Sequence, residues 1–187
     1  NDGVKAGYRE GFCRNSIVDD PLRRRIKDAN IPAVIHTVIK RGRKLKLTLL
    51  AKGGGSENFS ALKMFNPTAS VSEIEHFIVS WIKSAGSKPC PPLVVGVGIG
   101  GNFESCAIMS KRALLRKIGS ANKDAFYNRL EKQLLKSINR TGIGPAGLGG
   151  RLTAFAAHIE HAPCHIASLP VAVSLNCCAV RHRSIIL

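Results

Sequence analysis

The stretch Lys88-Pro-Cys-Pro-Pro-Leu-Val-Val-Gly-Val-Gly-Ile-Gly-Gly101 places one cysteine among prolines, directly before an apolar run and a glycine turn. Residues 93–97 carry no polar side chain, which is typical of a strand buried on both faces. Because proline fixes φ and lacks an amide donor, the flanking prolines hold the backbone of Cys90 rigidly. This rigidity favours a thiolate that binds a metal, although a packed core cysteine stays open on the pattern alone.

Helices and strands alternate on both sides of this stretch. Apolar residues three and four positions apart predict a helix over 71–85 that ends at Gly86. Further helices are predicted over 4–14, 103–118 and 124–140. Strands are predicted over 33–39, 45–51 and 93–97, and strand-like runs over 152–178. The pattern predicts an α/β fold class, a mixed α+β layered domain, with two small lobes as the alternative.

The chain is strongly basic. Its 187 residues carry 28 Lys and Arg against 12 Asp and Glu, a net charge of +16, which attracts anions of any kind. The basic residues cluster at 23–27, 40–46 and 111–112. Aromatic residues make up only 5% and none is interleaved with these clusters, so a nucleic-acid-binding module is the less favoured alternative. No apolar run approaches the roughly 20 residues of a membrane span.

Cysteine usage indicates a reducing compartment. The six cysteines form no Cys-x-x-Cys pair, and a chain of this length has no need of disulfides to stabilise its core. A cytoplasmic location is therefore expected. The six are Cys13, Cys90, Cys106, Cys164, Cys177 and Cys178.

Two glycine-rich segments resemble nucleotide-binding motifs without completing them. Gly96–Gly101 matches G-x-G-x-x-G, but the segment about 20 residues later, 115–120, lacks the acidic residue that would bind a ribose. The same pattern recurs at 142–147, which shows how little it specifies. The run 52–56 lacks the residue order of a phosphate-binding loop. Its three glycines indicate either a close approach of the backbone to another group or a plain turn.

Histidines and cysteines crowd the C-terminal third. His158, His161, Cys164 and His165 would suit a zinc-dependent hydrolase. On a strand, however, His158 and His161 would face opposite sides, so a histidine acting on substrate is the favoured interpretation. By the same alternation Cys177 and Cys178 would point to opposite faces.

Taken in order along the chain, four motifs resemble one family, the α subunit of class I iron–sulfur fumarate hydratases and L-tartrate dehydratases. The motifs are Lys52-Gly-Gly-Gly-Ser-Glu-Asn58, Pro89-Cys-Pro-Pro running into the glycine turn at 101, Gly142-Ile-Gly-Pro-Ala-Gly-Leu-Gly-Gly150, and His165-Ile-Ala-Ser-Leu-Pro-Val-Ala-Val173 followed by Asn176-Cys177.

The resemblance implies a 4Fe–4S cluster held by three cysteines. Two of these match Cys90 and Cys177. The third belongs to a Cys-Gln-Asp-Thr-Gly motif that this sequence does not contain, and Cys13 is no substitute because its surroundings resemble the helix after that motif. The expectation is a cluster-binding domain over 1–187 that lacks its N-terminal segment. Cys178 stands where relatives have His or Ser, so its role is open.

The resemblance also implies an activity and its residues. The expected reaction is reversible hydration of a hydroxy-dicarboxylate, fumarate to malate first and L-tartrate dehydration as the alternative. Arg14 and Gly55 match substrate contacts, and His165 matches a catalytic histidine. A β subunit supplies the remaining groups, so a hetero-oligomer is expected, and the isolated chain is expected to be inactive.

Overall fold

A computed structural model describes residues 1–25 and 30–187. It contains two compact units, Asn1–Lys44 and Leu45–Leu187. Helices and two β-sheets are present together, which confirms the predicted α+β fold class. The end of the first basic cluster, Ile26 and Lys27, lies outside the described residues.

The first unit begins with helix α1, Asp2–Glu10. The predicted helix over 4–14 therefore starts earlier and stops sooner. It stops because Gly11 caps the helix and Phe12 adopts a φ of 50°, a left-handed conformation that does not continue a right-handed helix. Phe12 is 97% exposed and gains no burial that would extend the helix.

The loop after α1 is held by one buried amide. Asn30 is buried, and its Oδ1 accepts hydrogen bonds from the Ser16 N–H at 2.6 Å and the Ile17 N–H at 3.1 Å. Its Nδ2 donates to the Arg14 carbonyl oxygen at 2.9 Å. These three bonds fix the backbone around Arg14, and the Arg14 residue itself is exposed.

The predicted strand over 33–39 is wrong. These residues adopt no strand and their apolar side chains are exposed. Strand β1, Lys46–Ala51, does form, but it pairs with strand β6, Arg181–Ile186, in an antiparallel two-stranded sheet. A run of apolar residues is compatible with pairing to many different strands. The pattern at 33–39 therefore did not determine which segment pairs with β1.

The main sheet consists of β2 Ala61–Phe65, β3 Leu93–Gly100, β4 Ala154–Ala162 and β5 Leu169–Asn176. These four strands lie in the order β2-β5-β3-β4. Strands β3 and β4 are parallel, and the other two neighbouring pairs are antiparallel. The central β3 is buried throughout, as its apolar run predicts.

Helices lie around the main sheet. They are α2 Gly54–Glu57, α3 Val71–Ala85, α4 Phe103–Ala113 and α5 Ala125–Asn139, and a 3₁₀ turn forms at Pro145–Gly147. Ser70, Asn102 and Asp124 accept hydrogen bonds from backbone N–H groups of the first turns of α3, α4 and α5, which satisfies donors left free there. None of the described helices is long and apolar enough to cross a membrane.

The two faces of β3 contact different helices. Val95 and Val97 join a core that includes Ile78 of α3 and Leu134 of α5. The alternate residues are glycines, and a Cβ added to Gly98 would stand 2.2 Å from the Cys106 carbonyl oxygen of α4. The backbone of α4 therefore lies directly on the glycine face of β3. Helices on both faces of one sheet make the layered arrangement that the sequence predicts.

His158 is a buried core residue on β4, and its burial should make the stability of the fold depend on pH. It is 2% exposed, and its Nδ1 lies 3.2 Å from the Ala113 carbonyl oxygen. Burial lowers the pKa of His158 below its ordinary 6.5, Arg116 lowers it further, and Glu131 and the Ala113 carbonyl oppose the shift. The unfolded chain therefore binds a proton at a pH where the folded chain does not. We expect the free energy of unfolding to fall as the pH drops below about 6.5.

Urea unfolding at pH 7.5 and pH 5 measures this dependence. His158→Gln should flatten it, and His76→Gln, an exposed residue of α3, should not. Equal slopes for the wild type and His158→Gln would show that His158 does not cause the dependence.

Candidate functional site

Two cysteine loops meet at one edge of the main sheet. Cys90 precedes β3 and Cys177 follows β5, and these strands are antiparallel neighbours with Val94 opposite Asn176. The Cys178 N–H donates a hydrogen bond to the Cys90 carbonyl oxygen at 3.1 Å. The fold therefore brings together two cysteines that stand 87 positions apart in the printed sequence.

The backbone at Cys90 is fixed from several sides. Cys90 has a φ of 57°, and its N–H donates to the Ser87 carbonyl oxygen at 3.0 Å. The Pro91 carbonyl accepts from the Ala146 N–H at 2.9 Å, which ties the glycine-rich loop 142–150 to this segment. Cys90 itself remains exposed. The prolines predicted a fixed backbone and left open whether the thiol is packed in the core; the structure leaves Cys90 exposed.

A charged cluster lies beside Cys177. Glu57 of α2 accepts from Lys52 at 2.8 Å through one oxygen and from Lys111 of α4 at 2.5 Å through the other. Burial lowers the pKa of Lys52, whereas Glu57 and a Cys177 thiolate favour its charged form. For Glu57, the two lysines outweigh burial and hold its pKa below the ordinary value. One carboxylate between two ammonium groups leaves this charged cluster with a net charge of +1.

These ionic residues were missed by sequence reasoning. Lys52 and Glu57 stand inside a motif that was singled out for its glycines, and Lys111 lies 54 residues beyond Glu57. The local sequence carries no signal for a pair so far apart.

The glycines of this motif have open space above them. A Cβ added at Gly53, Gly54 or Gly55 would meet no atom within 4 Å. Packing within the described chain therefore does not require glycine there. Of the two interpretations that the sequence left open, a backbone that a group outside this chain approaches is the favoured one.

The histidine cluster does not assemble into a metal site. His158 is buried in the core, whereas His161 stacks on Tyr127 with ring centroids 4.0 Å apart. His165 is exposed in the turn between β4 and β5, where its Nδ1 accepts from the Ala167 N–H at 3.1 Å. Among residues 1–25 and 30–187, no three His, Cys, Asp or Glu side chains are grouped to hold a metal. The zinc site that the hydrolase alternative requires is therefore not formed by the described residues.

His165 and Cys177 lie at opposite ends of β5. The strand runs from Leu169 to Asn176, and eight extended residues span about 25 Å. Within one copy of the chain, His165 is therefore not beside the cysteine loops. Arg14 belongs to the first unit, Asn1–Lys44, whereas both cysteine loops belong to the second.

Two thiols and one cation at this end of the main sheet meet some of the requirements of an iron–sulfur cluster. Two thiols in adjacent loops suit two ligand positions, and the cation of Lys52 would offset the negative charge of thiolate-bound iron. The buried Asn176 Nδ2, next to Cys177 in sequence, has no hydrogen-bond partner among the described residues. These residues would fit two ligand positions of such a cluster, and among residues 1–25 and 30–187 no third His, Cys, Asp or Glu side chain joins them in a group that could hold a metal.

Comparison with known proteins identifies the family to which this chain is similar. Residues 1–186 match the family model described as Fumarate hydratase (Fumerase). A Methanocaldococcus jannaschii protein, provisionally named L(+)-tartrate dehydratase subunit alpha, is 43% identical over 96% of this chain and 65% of its own length. The L(+)-tartrate dehydratase subunit alpha of Escherichia coli UTI89 is 32% identical over 97% of this chain and 59% of its own.

The K12 protein of the same name is also 32% identical, over 98% of this chain and 60% of its own length. The chain thus spans somewhat less than two thirds of the length of these relatives. The family match nevertheless covers nearly every residue, including both cysteine loops and the glycine motif. The chain belongs to the fumarate hydratase (Fumerase) family.

Proposed function

We propose that this chain is the cluster-binding part of the α subunit of an iron–sulfur hydro-lyase, which adds water to or removes it from a hydroxy-dicarboxylate. The observation that carries the proposal is the hydrogen bond from the Cys178 N–H to the Cys90 carbonyl oxygen. It joins the loops of the two cysteines that match cluster ligands of this family. A coincidental pair of cysteines would not be expected to lie beside the partly buried cation of Lys52, a residue of the glycine motif.

Cys90 and Cys177 would hold the 4Fe–4S cluster. When bound, such a cluster supplies a Lewis-acidic iron that eases the departure of a hydroxyl group next to a carboxylate. The third cysteine ligand is proposed to come from a Cys-Gln-Asp-Thr-Gly segment, as in the family. The rigid backbone at Cys90 keeps its thiol in one direction, which reduces the ordering that cluster binding requires.

The chain's own residues would attract and orient the substrate. The charged cluster of Lys52, Glu57 and Lys111 places a net positive charge where a dicarboxylate must approach. Gly55 would offer its backbone to the substrate, since no side chain of this chain covers it. Arg14 is proposed to bind a carboxylate with the two-pronged geometry of a guanidinium.

The position of His165 indicates how it would reach the reaction. Because β5 separates it from Cys177 within one copy, we infer that His165 serves the site of a second copy. The active assembly would then contain two α copies together with the β subunit. A cytoplasmic location is proposed, since the cysteines of such a site must stay reduced.

L-tartrate is the first substrate to test, ahead of fumarate. The named relatives are L(+)-tartrate dehydratase subunits, one of them 43% identical to this chain. The test is anaerobic assay of the enzyme assembled from a β subunit and an α subunit that contains this chain and the Cys-Gln-Asp-Thr-Gly motif. Turnover of L-tartrate, fumarate or malate supports the proposal. An iron-loaded assembly that converts none of them contradicts it.

Mixing of two inactive variants tests the role of His165. His165→Asn and Cys90→Ser should each be inactive alone. Combined in one assembly, they should regain about a quarter of wild-type activity, the share expected when two copies mix at random about a twofold axis. His161→Asn, the neighbouring exposed histidine, should keep activity and serves as the control. Absence of any recovery in assemblies shown to be mixed would place His165 outside the partner site.

Lys52 should be needed for its charge. Lys52→Met leaves Glu57 with Lys111 alone, so the net positive charge beside Cys177 is lost. We expect kcat/KM for the dicarboxylate to fall about tenfold or more, because a partly buried charge acts through a low effective dielectric. Lys52→Arg keeps the charge and should retain most of the activity. Equal kcat/KM for Lys52→Met and the wild type would remove the charged cluster from the mechanism.

A further inference from the structure

The hydrogen bond between the two cysteine loops places a third thiol opposite Cys90. The Cys178 N–H donates to the Cys90 carbonyl oxygen at 3.1 Å, and both cysteines are exposed. Bond lengths and angles keep the two Cα atoms joined by one such hydrogen bond within about 6.5 Å of each other. Disulfides form when the Cα atoms are about 4.4–6.8 Å apart. The hydrogen bond therefore brings Cys90 and Cys178 into the distance range in which a disulfide can form.

Cys178 is better placed for this pairing than its neighbour Cys177. The Cys177 N–H is bonded to Asn176 Oδ1 at 3.1 Å, not to Cys90, and Cys177 is only partly exposed. A bond between Cys177 and Cys178 themselves would close a strained eight-membered ring. Of the three thiols at this edge, Cys90 and Cys178 are therefore the pair whose backbones are joined directly and whose residues are both exposed.

We propose that Cys90 and Cys178 form an oxidative modification site, in which a hydroperoxide converts the two thiols into a disulfide. In the first step one thiolate sulfur attacks the O–O bond, and that bond breaks to give a sulfenic acid and water or an alcohol. The second thiol then displaces water from the sulfenic sulfur as the S–S bond forms. Two sulfur atoms are oxidised by one electron each, and the peroxide accepts both electrons.

Formation of this disulfide would remove Cys90 as a thiolate. If Cys90 is a cluster ligand, which rests on the proposed function, the oxidised chain would be unable to accept a cluster until a dithiol reduces it. The site would protect Cys90 from irreversible over-oxidation to sulfinic acid during loss of the cluster. Cys178, which the proposed reaction does not use, thereby gains a role.

The other cysteines provide internal controls. Cys106 is buried, its thiol donates to the Gly98 carbonyl oxygen at 3.3 Å, and burial raises its pKa to about 11. It should remain a thiol throughout. Cys164 is exposed like Cys178 but follows β4, at the opposite edge of the main sheet, so Cys164→Ser is the matched control for Cys178→Ser.

Peptide mapping of the iron-free 187-residue chain tests the pairing directly. After treatment with hydrogen peroxide and alkylation of the remaining thiols, a peptide pair joined through Cys90 and Cys178 should be the main cross-linked product. Cys178→Ser should abolish that product and leave Cys90 as a sulfinic acid, whereas Cys164→Ser should change nothing. A Cys90–Cys177 product, or over-oxidation of Cys90 in the wild-type chain without any cross-link, would overturn the proposal.

A second measurement separates this proposal from the proposed function. Peroxide-treated α subunit is mixed with iron and sulfide, and cluster absorbance is recorded with and without prior dithiol treatment. For the peroxide-treated wild type, dithiol treatment should raise the cluster absorbance about tenfold. Absence of a cluster even in untreated protein would contradict the proposed function, while the mapped disulfide would still stand. Full cluster formation in protein that carries the mapped disulfide would overturn the protective role of Cys178.

Discussion

Replacement of Cys90 by serine should abolish binding of the proposed iron–sulfur cluster in the assembled enzyme. A serine hydroxyl stays protonated at neutral pH, whereas iron–sulfur clusters are held by thiolates. The rigid segment around Cys90, tied to the glycine-rich loop through Pro91, cannot swing another ligand into place. We expect loss of essentially all broad iron–sulfur absorbance and of activity after anaerobic reconstitution, and the same from Cys177→Ser.

Two further serine variants control for general effects of thiol loss. Cys106 is a buried residue of α4, and Cys13 lies in the loop after α1, so neither Cys106→Ser nor Cys13→Ser should lower cluster content by more than a small fraction. Circular dichroism checks that each variant folds. A Cys90→Ser enzyme with a full cluster and normal turnover would show that the ligand assignment is wrong.

Gly98→Ala should strongly destabilise the second unit. The added Cβ would stand 2.2 Å from the Cys106 carbonyl oxygen and 2.9 Å from the Ser110 nitrogen. Both are backbone atoms of α4, so the whole helix must move away from β3 to admit the methyl group. Overpacking of this kind costs about 3 kcal/mol or more, a large share of the roughly 5–15 kcal/mol that stabilises a domain.

Urea unfolding followed by circular dichroism measures this cost. Gly54→Ala is the matched control, because a Cβ there meets no atom within 4 Å. Its midpoint should differ little from that of the wild type. If Gly98→Ala and Gly54→Ala unfold at the same urea concentration, α4 does not pack on β3 as described.

The sequence predicted correctly the helices and strands whose signals lie within one short segment. The apolar spacing and the cap of α3 lie within one segment, and the helix forms over 71–85 as predicted. The apolar run of β3 likewise marks a central strand. Strand β6, by contrast, begins Arg-His-Arg and is exposed throughout, so nothing in its composition marks it as the partner of β1. Pairing across more than a hundred residues is decided by the whole fold.

The candidate site shows the same division. The prolines around Cys90 predicted a fixed backbone there, but they did not decide between a core cysteine and the exposed one that the structure has. The resemblance to a family was needed to single out Cys177 among six cysteines. The ion pairs of Glu57 were not predictable, because one of them depends on the fold bringing Lys111 of α4 to Glu57 of α2. The separation of His165 from Cys177 follows from the extended course of β5, which the alternating sequence alone did not make certain.

Mössbauer spectroscopy of the ⁵⁷Fe-reconstituted assembly tests the central claim most directly. Spectra are recorded anaerobically before and after addition of L-tartrate, with Cys177→Ser as the cluster-free control. If Cys90 and Cys177 hold a cluster that leaves one iron open to the substrate, one iron environment should change on addition while the others stay as they were. An enzyme that turns over L-tartrate with every iron environment unchanged, or with no iron bound, would contradict the account.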